Sequence, residues 1–454
     1  MALAQAPLNL DPRYATDAAS ERVNRLLYQS LVDFDEHEKP KPSLASWKAV
    51  SPVQYRFHLI KEGRVFHDGS RLTAADVVAT YQSFNDLRDS PHKAEFANIR
   101  QIQALDADTI DFTLRQPDSG FPARLIIGIL PAHLLAARHD FAHAPVGSGA
   151  LKFIAWKNRL TLQRVSDRQI ISLQEVKDPT VRVLKLLRGE VDLLQGDLPP
   201  ELVAYLRRQS GIQVLTSQGA NFSYLGFNLQ DRQLQNPLVR RAIAHAIDRQ
   251  TIIEKALTGS SRAASAILPP EHWAGNPDLM AYDYNPKLCR ELLTQAGIKL
   301  PLKLSYKTST DAQRVRLATI MQAQMQPAGI ALEIRSLDWG TYFEDIKQGK
   351  FQLYGLTWVG IKTPEIYRLA FHSASLPPQG ANRGHFLDST LDKLIVQAEN
   401  GEQDGWKKVT AYVHETLPYV PLWYEGQFVA LRHEIKNYSP KVDSNWDDLA
   451  VVVK

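Results

Sequence analysis

The sequence predicts an α/β protein built from two lobes. Its 454 residues, 44% of them hydrophobic, can fill two packed cores, because single domains rarely grow beyond about 250 residues. Strand patterns alternate with helix patterns after residue 145 and again after residue 229, which favours a parallel sheet in each lobe. An extended aromatic segment at 419–431 precedes a remainder too short to form a domain, and we expect that remainder to return to the first lobe.

The first elements are a helix and a small α+β subdomain. Residues 11–35 begin with Asp-Pro and continue as a helix with one apolar face, which carries Tyr28. Residues 36–145 show alternating strand patterns around a helix that starts after Thr73. Asp76 lies three residues beyond Thr73, the spacing of a capping box. A compact α+β subdomain is therefore predicted for this range.

The later elements follow a repeating order of strands and helices. Residues 151–165 predict a hairpin that turns at 157–159. In the second lobe, Asn236 and Asp248 are suited to cap two successive helices, and Gly259 is suited to end the second one. These patterns predict two α/β units, and no exact internal repeat relates them.

The chain is predicted to pass between the lobes twice. The crossings are expected near 221–229 and near 418–426, where extended aromatic segments join the two patterns. Two crossing segments form a hinge about which lobes can close.

Composition excludes several classes of protein. The 53 basic and 49 acidic residues leave a net charge of +4 on a mixed surface, without the basic stripe that nucleic-acid binding requires. The single cysteine, Cys289, excludes an internal disulfide and fits a packed helical position better than a reactive one. The opening MALAQAP is too short for a complete secretory signal, so either the protein is cytosolic or its signal precedes this sequence.

The histidines and carboxylates do not form a recognisable catalytic motif. His133, His139 and His143 recur at intervals of six and four residues, but no acidic base lies between the closer pair. His67 could pair with Asp68, although a turn between strand and helix explains both residues. Neither a nucleophile elbow nor a phosphate-binding glycine loop is present. We therefore expect no metal, no cofactor and no enzymatic activity.

Aromatic residues instead gather near the predicted crossings and strand ends. In an α/β protein the ligand crevice lies at such strand ends. Each aromatic taken singly is more often part of a core, but together they favour a ligand-binding wall. They are Tyr28, Phe222, Tyr224, Phe227, Trp358, Trp423 and Tyr424.

Along nearly its whole length the sequence resembles the extracytoplasmic solute-binding proteins that serve ABC transporters for dipeptides, oligopeptides and nickel complexes. The most specific matches are FHDG followed by LTAADVV, and VRRAIAHAIDR. Further matches, in the same order as in the family, are LNLDPRYATDAASERVNRLLYQSLVDFD, PSLASWK, PVGSGALKFIAWK, LRGEVDLLQGDLPPE, YLGFNLQ, residues 329–339, GANRGHFLDSTLDKLI and PYVPLWY.

The resemblance implies a two-lobed periplasmic-binding-protein fold with a ligand cleft between the lobes. The large lobe would comprise residues 1–35, 146–228 and 419–454 with 36–145 as an accessory subdomain, and 229–418 would form the second lobe. Such proteins capture a small organic or peptide-like solute and hand it to the permease subunits of an importer. A ligand closes such a clamp only by binding the closed state better than the open one. An extracytoplasmic monomer is implied.

The chain departs from the family pattern at one position of the predicted site. Peptide-binding members carry Trp-x-x-Asp, whose aspartate receives the α-ammonium of the ligand, whereas this chain has Ile361 three residues after Trp358. Glu365 could substitute, but Thr363 and Pro364 before it suggest a helix start, where an acid pairs with the helix dipole. The predicted ligand-binding residues are Tyr28, Phe222, Tyr224, Trp358, Ile361, Asn382, Arg383, Trp423 and Tyr424.

Two other functions remain open at this point. The same fold occurs as a sensory or regulatory ligand-binding module attached to DNA-binding segments. A hydrolase is the third hypothesis, and it would need a nucleophile or a metal that the sequence does not display.

Overall fold

A computed structural model of the chain describes residues 1–87, 90–196, 198–257, 260–378 and 380–454. The helix end predicted at Gly259 lies outside these residues. The chain divides into two compact units: unit 1 comprises Met1–Leu215 and Val429–Lys454, and unit 2 comprises Thr216–Phe428. The finer division of the sequence into a lobe core and an accessory subdomain stays a prediction.

Among the described residues, unit 1 contains most of the strands and five α-helices. Its strands are β1 (Ala2–Leu3), β2 (Val32–Phe34), β3 (Pro40–Pro42), β4 (Ala45–Ser51), β5 (Gln54–Leu59), β6 (Ile99–Ala104), β7 (Thr109–Leu114), β8 (Leu151–Trp156), β9 (Leu160–Arg164), β10 (Ile170–Glu175) and β11 (Leu193–Gln195). Its helices are α1 (Ala18–Leu27), α2 (Ala74–Asp86), α3 (Ala132–Ala136), α4 (Pro179–Leu187) and α5 (Pro200–Leu206).

The strands of unit 1 form two main sheets. Strands β4, β5, β7 and β6 make an antiparallel sheet in that order, and helix α2 packs on it through Val77, Tyr81 and Phe84. The second sheet contains β11, β1, β10, β9 and β8 in that order, with β8 and β9 forming the predicted hairpin, and β11 also pairs antiparallel with residues 429–431. In it, β1 pairs in parallel with both β10 and β11, whereas β9 is antiparallel to β8 and β10. This sheet is therefore mixed, and the expectation of a parallel sheet in the first lobe was wrong because the hairpin brings antiparallel strands into it.

The start of α2 confirms the predicted capping box. The Asp76 carboxylate accepts hydrogen bonds from the backbone N–H of Thr73, at 2.8 Å, and from its hydroxyl, at 3.0 Å. A side chain that satisfies the free N–H groups of a first turn fixes where the helix begins.

Unit 2 is an α/β unit with eight helices among its described residues. Its helices are α6 (Pro237–His245), α7 (Arg249–Ala256), α8 (Pro286–Gln295), α9 (Ala312–Met325), α10 (Trp339–Lys347), α11 (Ile366–Phe371), α12 (Ser389–Glu399) and α13 (Gly405–Thr416). Its strands are β12 (Ile212–Phe227), β13 (Arg262–Ala263), β14 (Leu302–Ser309), β15 (Ile330–Leu337), β16 (Leu353–Trp358) and β17 (Tyr419–Arg432). Strands β12 and β17 run from one unit into the other.

The sheet of unit 2 is mixed, not parallel as the strand and helix order suggested. Its order is β15, β14, β16, β12, β17. Strand β14 is parallel to β15 and β16, whereas β12 is antiparallel to β16 over Phe222–Phe227. The expectation failed because β12 and β16 are separated by more than a hundred residues, and local periodicity carries no information on the direction of so distant a pairing.

Local signals in unit 2 were predicted correctly. The Asn236 and Asp248 side chains cap α6 and α7 by accepting from the N–H groups of Leu238 and Thr251. Cys289 is fully buried in α8, and burial raises the pKa of its thiol to about 12, which confirms a packed thiol.

His67 and Asp68 lie in a turn, the explanation that the sequence favoured over a pair between them. Asp68 pairs with His133, at 3.0 Å, and not with His67, whose ring Nε2 lies 2.9 Å from the carbonyl of Gly149. The described part of the chain contains no group of three or more histidine, cysteine, aspartate or glutamate side chains arranged to hold a metal ion. Within the same residues, no helix has the length and apolarity needed to cross a membrane.

Candidate functional site

The register of β12 and β16 puts three of the predicted aromatic residues on one face of the unit 2 sheet. Phe222 lies opposite Trp358, and Tyr224 lies opposite Leu356. Since side chains alternate along a strand, Phe222, Tyr224 and Trp358 project to the same side. Trp358 is the last residue of β16 and is half-buried.

These rings stack on each other and on one ring that the sequence analysis did not select. Tyr224 is parallel to Phe222, with ring centroids 5.8 Å apart, and to Trp358, at 6.3 Å. Tyr419 stacks most closely on Tyr224, at 4.1 Å and 15° between ring planes. We call Phe222, Tyr224, Trp358 and Tyr419 the aromatic cluster. Tyr419 could have been found as the first aromatic of the extended segment that also holds Trp423.

Arg383 lies on this cluster. Its guanidinium carbon is 4.9 Å from the ring centroid of Trp358 and 5.4 Å from that of Phe343, distances at which a cation is attracted to an aromatic face. Its Nη1 donates a hydrogen bond of 3.3 Å to the hydroxyl of Tyr224. The structure thus brings three of the predicted residues, Arg383, Tyr224 and Trp358, into contact.

The hydroxyl groups around Arg383 carry no charge at neutral pH. Burial raises the pKa of Tyr224, Tyr354 and Tyr419, and each of the three side chains is buried. A phenol whose pKa is raised above 10 stays protonated at neutral pH. These residues can donate or accept hydrogen bonds but do not neutralise the guanidinium.

Ile361 lies just beyond the aromatic cluster in sequence. It is partly buried and packs against the hydrophobic core of unit 2. The helix expected to start at Thr363 and Pro364 begins later, since α11 starts at Ile366 with Glu365 as its N-cap residue. Residues 363–365 form a turn before α11, so the prediction that the helix starts with Thr-Pro-Glu was wrong.

Three other predicted residues are engaged inside unit 2. Asn382 is 1% exposed. Its side-chain NH2 group donates to the backbone carbonyls of Phe371, His372 and Phe386. Its side-chain oxygen accepts a hydrogen bond from the backbone N–H of Phe386. The Tyr424 hydroxyl donates to the carbonyls of Ala266 and Leu268. Trp423 is buried on the same strand. Each of the three therefore stabilises the fold around the aromatic cluster, and direct contact with a ligand stays a prediction for them.

Tyr28 belongs to unit 1. It is 4% exposed, and its hydroxyl donates to the carbonyl of Leu10 at 3.1 Å. A cavity of about 260 Å³ in unit 1 is lined by Tyr28 together with Asn24, Arg25 and Gly128. A side chain at Gly128 would collide with Tyr28, because a Cβ atom there would lie 2.4 Å from the Tyr28 Cβ.

A polar cluster on the opposite face of the unit 2 sheet was missed altogether. One oxygen of Glu425, Oε1, accepts from Ser223 Oγ at 2.7 Å, from Thr357 Oγ1 at 3.0 Å and from Arg314 Nη2 at 3.2 Å. Ser223 and Thr357 face each other across β12 and β16. The four residues are far apart in sequence, so no local pattern could have indicated them.

The chain is similar to known proteins over almost all of its length. Residues 39–375 match the profile of the bacterial extracellular solute-binding proteins, family 5. The chain is 26% identical to heme-binding protein A of Haemophilus influenzae, covering 96% of this chain and 88% of that protein. It is 23% identical to the dipeptide-binding protein of Escherichia coli, covering 95% and 90% of the two chains.

Solved structures share the fold. CtaP of Listeria monocytogenes, an ABC transporter substrate-binding protein, superimposes with a TM-score of 0.89 at 22% identity, covering 99% of this chain and 98% of that one. NikZ of Campylobacter jejuni, solved with Ni(L-His), gives a TM-score of 0.82 at 23% identity, covering 100% and 98% of the two chains. At this level of identity the structures establish the two-lobed α/β fold and not the ligand.

Proposed function

Because the chain belongs to the bacterial extracellular solute-binding proteins of family 5, we propose that it is the ligand-capturing component of an ABC importer. It binds a small organic or peptide-like solute outside the cytoplasm and delivers it, as a monomer, to permease subunits in the membrane. The observation that carries this proposal is the family match over residues 39–375, supported by relatives that include a dipeptide-binding protein. Members of the family bind solutes, and we propose no catalytic role for this chain.

Within unit 2 we assign ligand contact to the exposed part of the aromatic cluster. Trp358 ends its strand with one face against Arg383 and part of its indole open to solvent. A partly exposed indole held by stacked rings presents a rigid apolar surface at little cost in side-chain entropy. This arrangement supports a solute that has an apolar or planar portion.

Retention of a solute by purified protein tests the proposal. Wild type and Trp358→Ala are exposed to the same cell extract, desalted, and compared by native mass spectrometry. We expect wild type to retain a small molecule and Trp358→Ala to retain roughly tenfold less, since loss of an aromatic contact costs about 1–2 kcal/mol.

The matched control is Trp273→Ala, which removes another exposed indole of unit 2, 46% exposed. It should retain the solute like wild type. No retained molecule in wild type would contradict the proposed function, and equal losses in the two variants would contradict the assignment to Trp358.

A further inference from the structure

Arg383 is a positively charged side chain with no negatively charged partner among the described residues. Its only hydrogen bond within the described part of the chain goes to a neutral phenol, the hydroxyl of Tyr224. The remaining N–H groups of the guanidinium are neither paired in that part of the protein nor hidden from solvent. The charge is therefore open to an acceptor from outside.

Other arginines of unit 2 are satisfied differently. Arg368 forms a two-pronged pair with Glu399, with both N–O distances 2.6 Å, and Arg314 pairs with Glu425. Arg249, which is buried, donates to backbone carbonyls, including those of Ala244 and Pro421. Arg383 differs from these three arginines in what its guanidinium contacts. It lies against aromatic rings, whereas theirs are hydrogen-bonded to carboxylates or backbone carbonyls.

The aromatic contacts also orient the guanidinium. Trp358 and Phe343 lie within 5.4 Å of its carbon, and Trp339 extends the stack behind Phe343 at 5.4 Å. Rings packed against a guanidinium, together with its hydrogen bond to Tyr224, restrict its motion, and its remaining N–H groups can match the two oxygens of a carboxylate. The fork is thus held in place before anything binds it.

We propose that Arg383 binds a carboxylate of the transported solute, and that this chain selects solutes carrying such a group near an apolar portion. The inference rests on the proposed function and specifies its ligand class. The side chain at position 361 agrees with this proposal. Ile361 lies three residues after Trp358 and carries no negative charge that would repel an anionic solute. The apolar portion would lie against the exposed indole of Trp358.

The expected effect is a loss of retention of about 10-fold to 100-fold on removing the charge, the range for a charge-assisted hydrogen-bonded pair. Arg383→Lys keeps the charge but loses the planar fork, so it should fall between wild type and Arg383→Gln. The matched control is Arg22→Gln, because Arg22 also stacks on an indole, that of Trp446 at 5.5 Å, but belongs to unit 1.

Each protein is exposed to one cell extract and to a portion of the same extract treated with acidic methanol, which converts carboxylates to neutral methyl esters. Retained molecules are identified by native mass spectrometry, and thermal denaturation checks that each variant is folded. We expect wild type and Arg22→Gln to retain a carboxylate-bearing solute from the untreated extract only, and Arg383→Gln to retain at least tenfold less.

Three results would overturn the inference while leaving the proposed function intact: a retained solute without a carboxylate, equal retention of its methyl ester, or equal retention by Arg383→Gln. Failure of wild type to retain any small molecule would instead remove the proposed function, and this inference with it.

Discussion

Replacing Ile361 by aspartate should change which solutes the protein binds. The resemblance to peptide-binding members implies an aspartate at this position, and this chain has Ile361 there. Ile361 is only partly buried against the core of unit 2, so the substitution should cost about 1 kcal/mol of folding stability, roughly half the value of a fully buried isoleucine. The variant should therefore fold.

The effect on binding has opposite signs for two kinds of ligand. An aspartate near the end of β16 can pair with the ammonium of an unmodified dipeptide, a charge-assisted contact worth about 1.5–3 kcal/mol, or roughly 10-fold to 100-fold in affinity. The natural solute should bind less tightly, because the apolar contact with Ile361 is lost and a carboxylate on the solute would meet a like charge.

Isothermal titration calorimetry with alanyl-phenylalanine measures the first effect. Ile361→Asn is the matched control, since asparagine has the shape of aspartate without its charge. We expect only Ile361→Asp to gain affinity, and N-acetylation of the dipeptide should remove the gain. Tight binding of unmodified di- and tripeptides by wild type, or equal behaviour of the two variants, would refute the reasoning.

Two further predictions concern stability. Asn382→Ala should lower the free energy of unfolding by about 2–4 kcal/mol because it leaves buried carbonyls and an N–H without partners; an unchanged thermal midpoint with lost solute retention would instead make Asn382 a ligand contact. The hydrogen bonds from Arg56 hold the pKa of Asp111 below its usual 3.8, so its stabilisation is present above about pH 4 and is lost as pH falls below that value. Asp111→Asn should thus have a lower urea midpoint than wild type at pH 7, a deficit that shrinks toward pH 3; a deficit independent of pH would contradict this.

Features governed by neighbouring residues were predictable from the sequence. The capping box at Thr73 and the N-caps at Asn236 and Asp248 are all present, because each depends on a side chain and an N–H group two or three residues away. Glu365 shows the limit of such signals, since the same residue types formed a turn and delayed the start of α11.

Features that depend on distant pairing were not predictable. The antiparallel direction of β12 relative to β16 and the convergence of Ser223, Thr357 and Arg314 on Glu425 are set by tertiary structure. The aromatic cluster was anticipated in part, because Phe222 and Tyr224 fall at the predicted crossing near 221–229 and Trp358 falls at a strand end. Tyr419 was omitted although Trp423 and Tyr424 lie on the same strand, because an aromatic residue at the start of an apolar strand looks like an ordinary core residue.

The way the chain enters and leaves unit 2 has a consequence for protein synthesis. Unit 2 is one continuous stretch, whereas the core of unit 1 packs Leu3 and Val23 together with Leu431, Trp446 and Val452. As the ribosome extends the chain, every residue of unit 2 has emerged before the final strand that unit 1 requires. Unit 1 must therefore wait, with part of its apolar surface uncovered, until Val429–Lys454 has emerged. We expect truncation near the C-terminus to unfold unit 1 while leaving the core of unit 2 intact.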